Sequence, residues 1–493
     1  KYSKIQSHKY FFIFLIFLIL SITNNHHDDL YIYQLPIINY MQNYKIIFGF
    51  INLNDFIGQG HSFYEIMSFF KIPFYENRAY FLLPIIFLNF FIIFLFENLN
   101  LQKDKMIKYF IYFIILLFIV RFNRSKEFGS DLPILCLLFY IQINLFNFLN
   151  SRKIELFYKA VLASLFCIIL KLYGVLSVFY LLAFLPILKK SFLDIFGKKK
   201  YFFFLLSIFL FTILKNIIVS GCMIYPISTT CVNKDKFSWS IGKEISEKRN
   251  EFYNAQVLGW RSYTKNINNG IFLTAEQYQN KNLFEKIRGL ASDKDRDKIL
   301  TGIILLIIFI LTLVFSKDKI KLNKIKKPIN FLVLLCLIFP LLIWFTKLPQ
   351  SRYGYFAYLS CFFIYISFQY LKIGEINKKF INIFFSLLLV FLITKNFSRI
   401  NNEIQNLNTS DSYPIKKFRV DEYEIKLINN NKFNIPKNSF MECANIPMLC
   451  LANIHMIKNV KVIRNYIVLE NDLVGLENHI NASAIYDMIE TNK

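Results

Sequence analysis

Eleven apolar runs recur through the chain, near 10–23, 79–96, 107–120, 132–149, 156–170, 175–188, 201–219, 301–315, 329–346, 355–371 and 379–394, with short Lys-bearing segments between them. A bilayer accommodates such a series because each run, as a helix, satisfies its own backbone hydrogen bonds in hydrocarbon. The pattern predicts a polytopic α-helical membrane protein of about 11 transmembrane helices, although several runs are shorter than the roughly 20 residues of a full crossing. The first run lacks a small-residue cleavage site and reads as a span, not a signal peptide. No internal repeat is evident.

Charge sets the orientation. The formal net charge is +25, from 46 Lys and 12 Arg against 33 acids. These cations form no basic domain; most sit in short loops between apolar runs, which argues against a nucleic-acid partner. With the N-terminus in the cytoplasm, the inner loops become 97–108, 150–155, 189–200, 316–327 and 372–378. They carry Lys103, Lys105, Lys189, Lys190, Lys198, Lys199, Lys200 and the 317–327 cluster, as the positive-inside rule requires. Loops 24–78 and 220–300 then lie outside, as does the tail after Lys395. The expected organisation is a transmembrane domain, 1–394, followed by a small extracytoplasmic α/β or strand-rich domain, 395–493.

The cysteines agree with this orientation. Cys136, Cys167, Cys336 and Cys361 fall within apolar runs and read as packed thiols. Cys222 with Cys231 and Cys443 with Cys450 are close pairs on the predicted outer side, where disulfides persist, and neither pair has zinc-spaced partners. In loop 24–78, Pro36 suits a first helical turn, and Ile37, Ile38, Met41 and Tyr44 share one helical face. Ser62-Phe63-Tyr64-Glu65 reads as a capping box that opens a short helix through Phe70. Two short amphipathic helices suggest a segment lying in the membrane interface, with an ordinary packed loop as the alternative.

Charged residues at the outer ends mark the candidate site. Asp28 and Asp29 follow the first run directly, where acids are costly near lipid unless a cation, proton or water accompanies them. Arg121, Arg124, Lys126, Lys171, Lys215 and Arg352 fall at the same level, against the positive-inside rule. An anionic headgroup held there would account for the cations, since Arg and Lys bind phosphate oxygens strongly. Each has a simpler reading: Lys171 and Lys215 as snorkelling side chains, and the two acids as a helix terminator. His26 and His27 read as loop residues.

This acidic pair beyond a first membrane helix, followed by a loop with short helices, resembles the GT-C superfamily of membrane glycosyltransferases. More closely, Asp29-Leu30-Tyr31-Ile32-Tyr33-Gln34-Leu35-Pro36, with Gly49 and Asn52-Leu53, looks like a family of uncharacterised bacterial multi-pass proteins. Ser220 to Pro226 and Cys443 to Cys450 extend that likeness over most of the chain. Gln34 and Asn54 stand where that family usually has His, so no His role carries over. The resemblance implies a GT-C-like bundle in a bacterial plasma membrane, transferring sugar from a polyprenyl-phosphate-type donor to an extracytoplasmic glycan, glycolipid or protein. Asp29, or Asp28, would be the general base, the six cations would hold the donor phosphate, and Tyr33 would line the site. Magnesium or manganese could bridge acid and phosphate, but no third ligand is legible and no metal is assigned. A lipid-linked glycan flippase, an O-antigen polymerase or ligase, and a non-catalytic envelope scaffold are the alternatives. A flippase would call for Gly- or Pro-broken helices in matched halves, which this chain of 15 Gly does not show.

Overall fold

The computed structural model describes residues 30–44, 46–53, 62–70, 82–120, 129–184, 199–259, 331–347, 354–372, 422–428, 431–437, 457–463 and 466–471, with isolated residues between them. Among these, helices dominate. A π-helical turn, Leu30–Gln34, runs directly into α1 (Leu35–Asn43), and α2 is Ser62–Ser68. The apolar helices follow as α3 (Leu82–Leu101), α4 (Lys105–Val120), α5 (Asp131–Ser151), α6 (Ile154–Leu170), α7 (Ser177–Phe184) and α8 (Lys199–Ser220). Beyond them come α9 (Gly242–Gly259), α10 (Phe331–Lys347) and α11 (Tyr355–Tyr370). Eight of the eleven expected runs are therefore helical; runs 10–23, 301–315 and 379–394 lie outside the described segments.

Three of these helices, Leu82–Leu101, Asp131–Ser151 and Phe202–Ser220, are long and apolar enough to cross a membrane. Among the described residues the structure is thus mostly helical, with three candidate spans and a small sheet region. At 1.5 Å per residue, the 16 residues of α4 and the 17 of α6 reach only about 24–26 Å.

Helix α5 is the hub, packing against α3, α4, α6, α7 and α11. It is apolar on every side, and Ile134, Leu138, Phe139, Ile141, Ile143 and Phe146 are completely buried. Proline sits near the start of α3 (Pro84) and of α5 (Pro133), where a missing N–H costs little. Asp104 caps α4, its Oδ1 accepting from the amides of Met106 (2.8 Å) and Ile107 (3.2 Å). The same end of the bundle is tied by Asn147 donating to Asn98 (2.9 Å), Gln102 donating to Asn147 and Asn150 donating to Asp104 (3.2 Å). Helix α8 differs. Phe203, Phe204, Phe209, Leu210, Phe211 and Leu214 are all exposed, a surface that suits lipid far better than water.

The opposite end of the bundle carries the sheet. Strands β1 (Ile47–Phe48), β6 (Ile457–Ile463) and β7 (Tyr466–Asn471) form one sheet in the order β1-β7-β6. The tail hairpin β6–β7 is antiparallel, with Val460 opposite Leu469 and Val462 opposite Ile467. Strand β1 joins β7 in parallel, Ile47 opposite Ile467 and Phe48 opposite Val468. Two further antiparallel pairs are β2 (Lys321–Leu322) with β3 (Leu371–Lys372), and β4 (Tyr423–Ile428) with β5 (Asn431–Pro436). The apolar alternation over 460–468 thus forms a strand pair in the expected strand-rich tail, but its sheet takes a third strand from the first loop. The tail and loop 24–78 are structurally continuous here.

Both short helices of that loop form, and Pro36 occupies the first turn of α1 as expected. Their setting differs from the interfacial reading. Leu35, Ile37, Ile38 and Tyr40 of α1 are buried by protein, as are Phe63, Tyr64 and Met67 of α2. The apolar faces that suggested lipid are covered by protein: Phe63 packs on Phe87 of α3, and Tyr40 meets Phe50 and the Cys450 carbonyl of the tail. Helix α9, unforeseen in the charged part of loop 220–300, is amphipathic: Ile245, Ser246 and Arg249 are buried, while Lys243, Glu244 and Glu247 are exposed.

Candidate functional site

At the sheet end, residues 46–53 join α8, the 220–300 loop and the tail. Gly49 adopts φ +69°, a left-handed conformation that glycine takes without steric cost. Its amide donates to the Ile218 carbonyl at the end of α8 (2.9 Å), and the Ile467 amide donates to Ile46 (3.3 Å). Asn52, completely buried, donates through Nδ2 to Leu469 (2.9 Å) and Trp239 (3.3 Å). Trp239 packs on Phe48 with ring centroids 4.9 Å apart and donates to Ile217 (3.1 Å). Ile51 enters a small core with Cys222, Tyr225, Ile241 and Ile245, and buried Arg249 donates to its carbonyl (3.3 Å). Segments predicted on one side of the membrane, 24–78, 220–300 and the tail, therefore meet in one place.

Both expected disulfides form, Cys222–Cys231 and Cys443–Cys450. Among the free thiols, Cys136, Cys167 and Cys361 are buried and Cys336 is half-buried. The second bridge lies against α1, where the buried Tyr40 hydroxyl donates to the Cys450 carbonyl. Burial pushes that hydroxyl well above the ordinary tyrosine range; Tyr44 adds to the rise, and the bond to Cys450 opposes it only in part. Tyr40 is thus held as a neutral donor.

Of the residues singled out from sequence, Asp28, Asp29, Arg121, Arg124, Lys126 and Arg352 lie outside the described segments. Tyr33, Lys171 and Lys215 are described. Tyr33 is buried in the π-helical turn and packs edge-to-face on Tyr64 of α2, centroids 6.0 Å apart. Lys215, near the sheet end of α8, reaches α2 as well, meeting Glu65 at 2.8 Å and the Ser62 hydroxyl at 2.5 Å. The supposed capping-box acid thus holds a lysine. Lys171, at the end of α6, forms a largely buried pair with Asp131 at 2.8 Å, with its ammonium 5.5 Å from the centre of the Tyr173 ring. Tyr33 and Lys215 therefore converge on α2. Lys171 binds the first residue of α5, beside Gly129, and a methyl group added at Gly129 would lie 4.0 Å from the Tyr64 hydroxyl.

Glu65, Asp131, Tyr64 and Gln34 are participants that the sequence does not by itself assign to the site. One signal was present: Ser130-Asp131 opens an apolar run at the level of the unexplained Lys171, so a carboxylate stood ready for that cation. Among the described residues no group of three or more His, Cys, Asp or Glu could hold a metal ion. Geometrically, the site is a set of helix ends joined by ion pairs and aromatic edges, directly after the Asp28-Asp29 pair in sequence. No curated protein and no solved structure matches the chain. A family model does match, over residues 1–359, and by that match the chain belongs to the family described as a domain of unknown function (DUF8201).

Proposed function

We propose that this chain is a GT-C-type glycosyltransferase with about eleven spans, its N-terminus cytoplasmic and its tail extracytoplasmic, in a bacterial plasma membrane. It moves a sugar from a polyprenyl-phosphate donor to an extracytoplasmic glycan, glycolipid or protein acceptor. One observation carries the reading. In the loop that follows Asp28-Asp29 in sequence, residues 46–53 fasten the 220–300 loop and the tail together. Such bracing is what positioning an acid against a reacting carbon requires.

In the proposed reaction Asp29 accepts the acceptor hydroxyl's proton as the new bond forms to the anomeric carbon. The carbon–oxygen bond to the lipid phosphate breaks with oxocarbenium character, and the phosphate leaves carrying the electron pair. Arg121, Arg124, Lys126 and Arg352 are assigned to that growing charge. Lys171 and Lys215, each paired with a carboxylate, shape the site and hold α2 and the start of α5. No step is routed through a metal.

The test is transfer by the full chain, reconstituted in vesicles with a polyprenyl-phosphate-linked sugar and acceptor extract. Asp29→Asn keeps size and removes basicity, so transfer should fall roughly 100-fold or more at unchanged expression and thermal stability. Full transfer by that variant would remove Asp29 as base.

A further inference from the structure

A second set of polar groups lies at the start of α5. Ser130 is its N-cap residue, yet its hydroxyl makes no capping bond. The cause is local. A capping serine accepts from the second or third amide of the helix, but Pro133 fills the third position and has no N–H. Ser130 also has helical dihedrals (φ −74°, ψ −8°), in place of the extended ones a cap uses. Its oxygen is thus completely buried without a hydrogen-bond partner, a destabilising condition unless something fills it.

The adjoining residue carries no side chain. A methyl group placed on Gly129 would lie 3.6 Å from Gln34 Nε2 and 4.0 Å from the Tyr64 hydroxyl, with no closer neighbour among the described residues. Gln34 is only 5% exposed. A buried, unpaired hydroxyl and the amide of a buried glutamine therefore border the N-terminus of a 21-residue helix. Helix N-termini favour anions through their positive dipole end and their first-turn amides, which have no acceptor within the helix. The acid in that turn, Asp131, is matched by Lys171 and also accepts from Tyr173 (3.4 Å), so its charge is compensated locally.

We infer that the Gly129–Ser130 turn, with the Gln34 amide, is a binding site for the oxygens of a phosphate monoester or free phosphate. Gln34 and Ser130 donate to the oxygens, the helix end supplies the field, and the bare Gly129 backbone leaves room for close approach. Glutamine suits this task at any pH, because its donor carries no titrating proton. The site does not depend on sugar transfer, and its test reads phosphate binding alone.

The full chain in dodecyl maltoside is titrated with inorganic phosphate and, separately, with dodecyl phosphate, following thermal stability and binding heat. Ligand-linked stabilisation is expected with at least one probe. Stronger binding of dodecyl phosphate identifies a lipid headgroup as the natural source, and equal binding identifies free phosphate. Ser130→Ala should leave unliganded stability equal or higher, because it removes an unpaired hydroxyl, while weakening binding roughly tenfold or more. Gly129→Ala adds a methyl group with only ordinary contacts and should fold as wild type but lose binding. If Ser130→Ala folds poorly, Gly129→Ala decides. No response of the wild type to either probe, or wild-type binding by Gly129→Ala, overturns the site.

Discussion

Replacing Gly49 by Ala tests whether residues 46–53 are the clasp that holds the two loops and the tail together. An added Cβ would sit 2.5 Å from the Leu469 carbonyl oxygen, 2.9 Å from Asn52 Nδ2 and 3.0 Å from Trp239 Cβ. The first of these is backbone of β7, so the sheet itself must move. A non-glycine residue at φ +69° costs about 1–2 kcal/mol before any contact is counted. Displacing Leu469 breaks the 2.9 Å bond from buried Asn52, and leaving that donor unpaired costs about 1–3 kcal/mol. Allowing for relaxation, the loss is about 3 kcal/mol or more, concentrated in the docking of the tail. A local opening easier by 3 kcal/mol raises the open population roughly 100-fold. Trypsin cleavage at Lys458 and Lys461, measured on the full chain in detergent, should accelerate accordingly, while spans such as α5 stay protected. Cleavage within twofold of wild type would show that the tail is not held through Gly49.

Four further outcomes follow from the same geometry. Burial tends to raise the Glu470 carboxyl, but hydrogen bonds from Lys461, Ser238 and Asn459, with the Lys461 charge, outweigh it and hold the pKa below its ordinary value of 4.5. A depressed folded pKa stabilises above the unfolded value and is lost as pH falls through the folded one, so protease resistance of β6–β7 should drop below about pH 4.5, and less steeply in Glu470→Gln. Tyr40→Phe should cost about 1–2 kcal/mol by stranding the Cys450 carbonyl, and replacing Cys443 and Cys450 by Ser about 2–3 kcal/mol by reopening a loop with a sequence separation of 7; denaturant titration reads both. Lys171→Met should cost about 3 kcal/mol by leaving Asp131 buried and uncompensated, and adding Asp131→Asn should recover much of that, unless the pair is far more solvated than its 12% and 14% exposures indicate.

Local sequence determined the parts of this protein. Apolar runs of 14 to 19 residues become helices wherever the structure describes them, because a backbone among apolar side chains must satisfy itself. Pro36, the Asp104 cap and the alternation near 460–468 each specify structure through neighbours a few residues away. The two cysteine pairs, seven and nine residues apart, belong to the same class. Tertiary structure alone decided how the parts meet. Strand β1 is two residues long, too short for any periodicity, and exists because β7, more than 400 positions later, presents an edge to it. Helix α1 displays a face that fits lipid and protein equally well, and the tail's approach determines which covers it. Likewise, Lys171 and Lys215 read as lone cations until α5 and α2 bring Asp131 and Glu65 to them. Hydrophobic patterning records that a surface must leave water, whereas the identity of its partner depends on chain segments whose separation leaves no local trace.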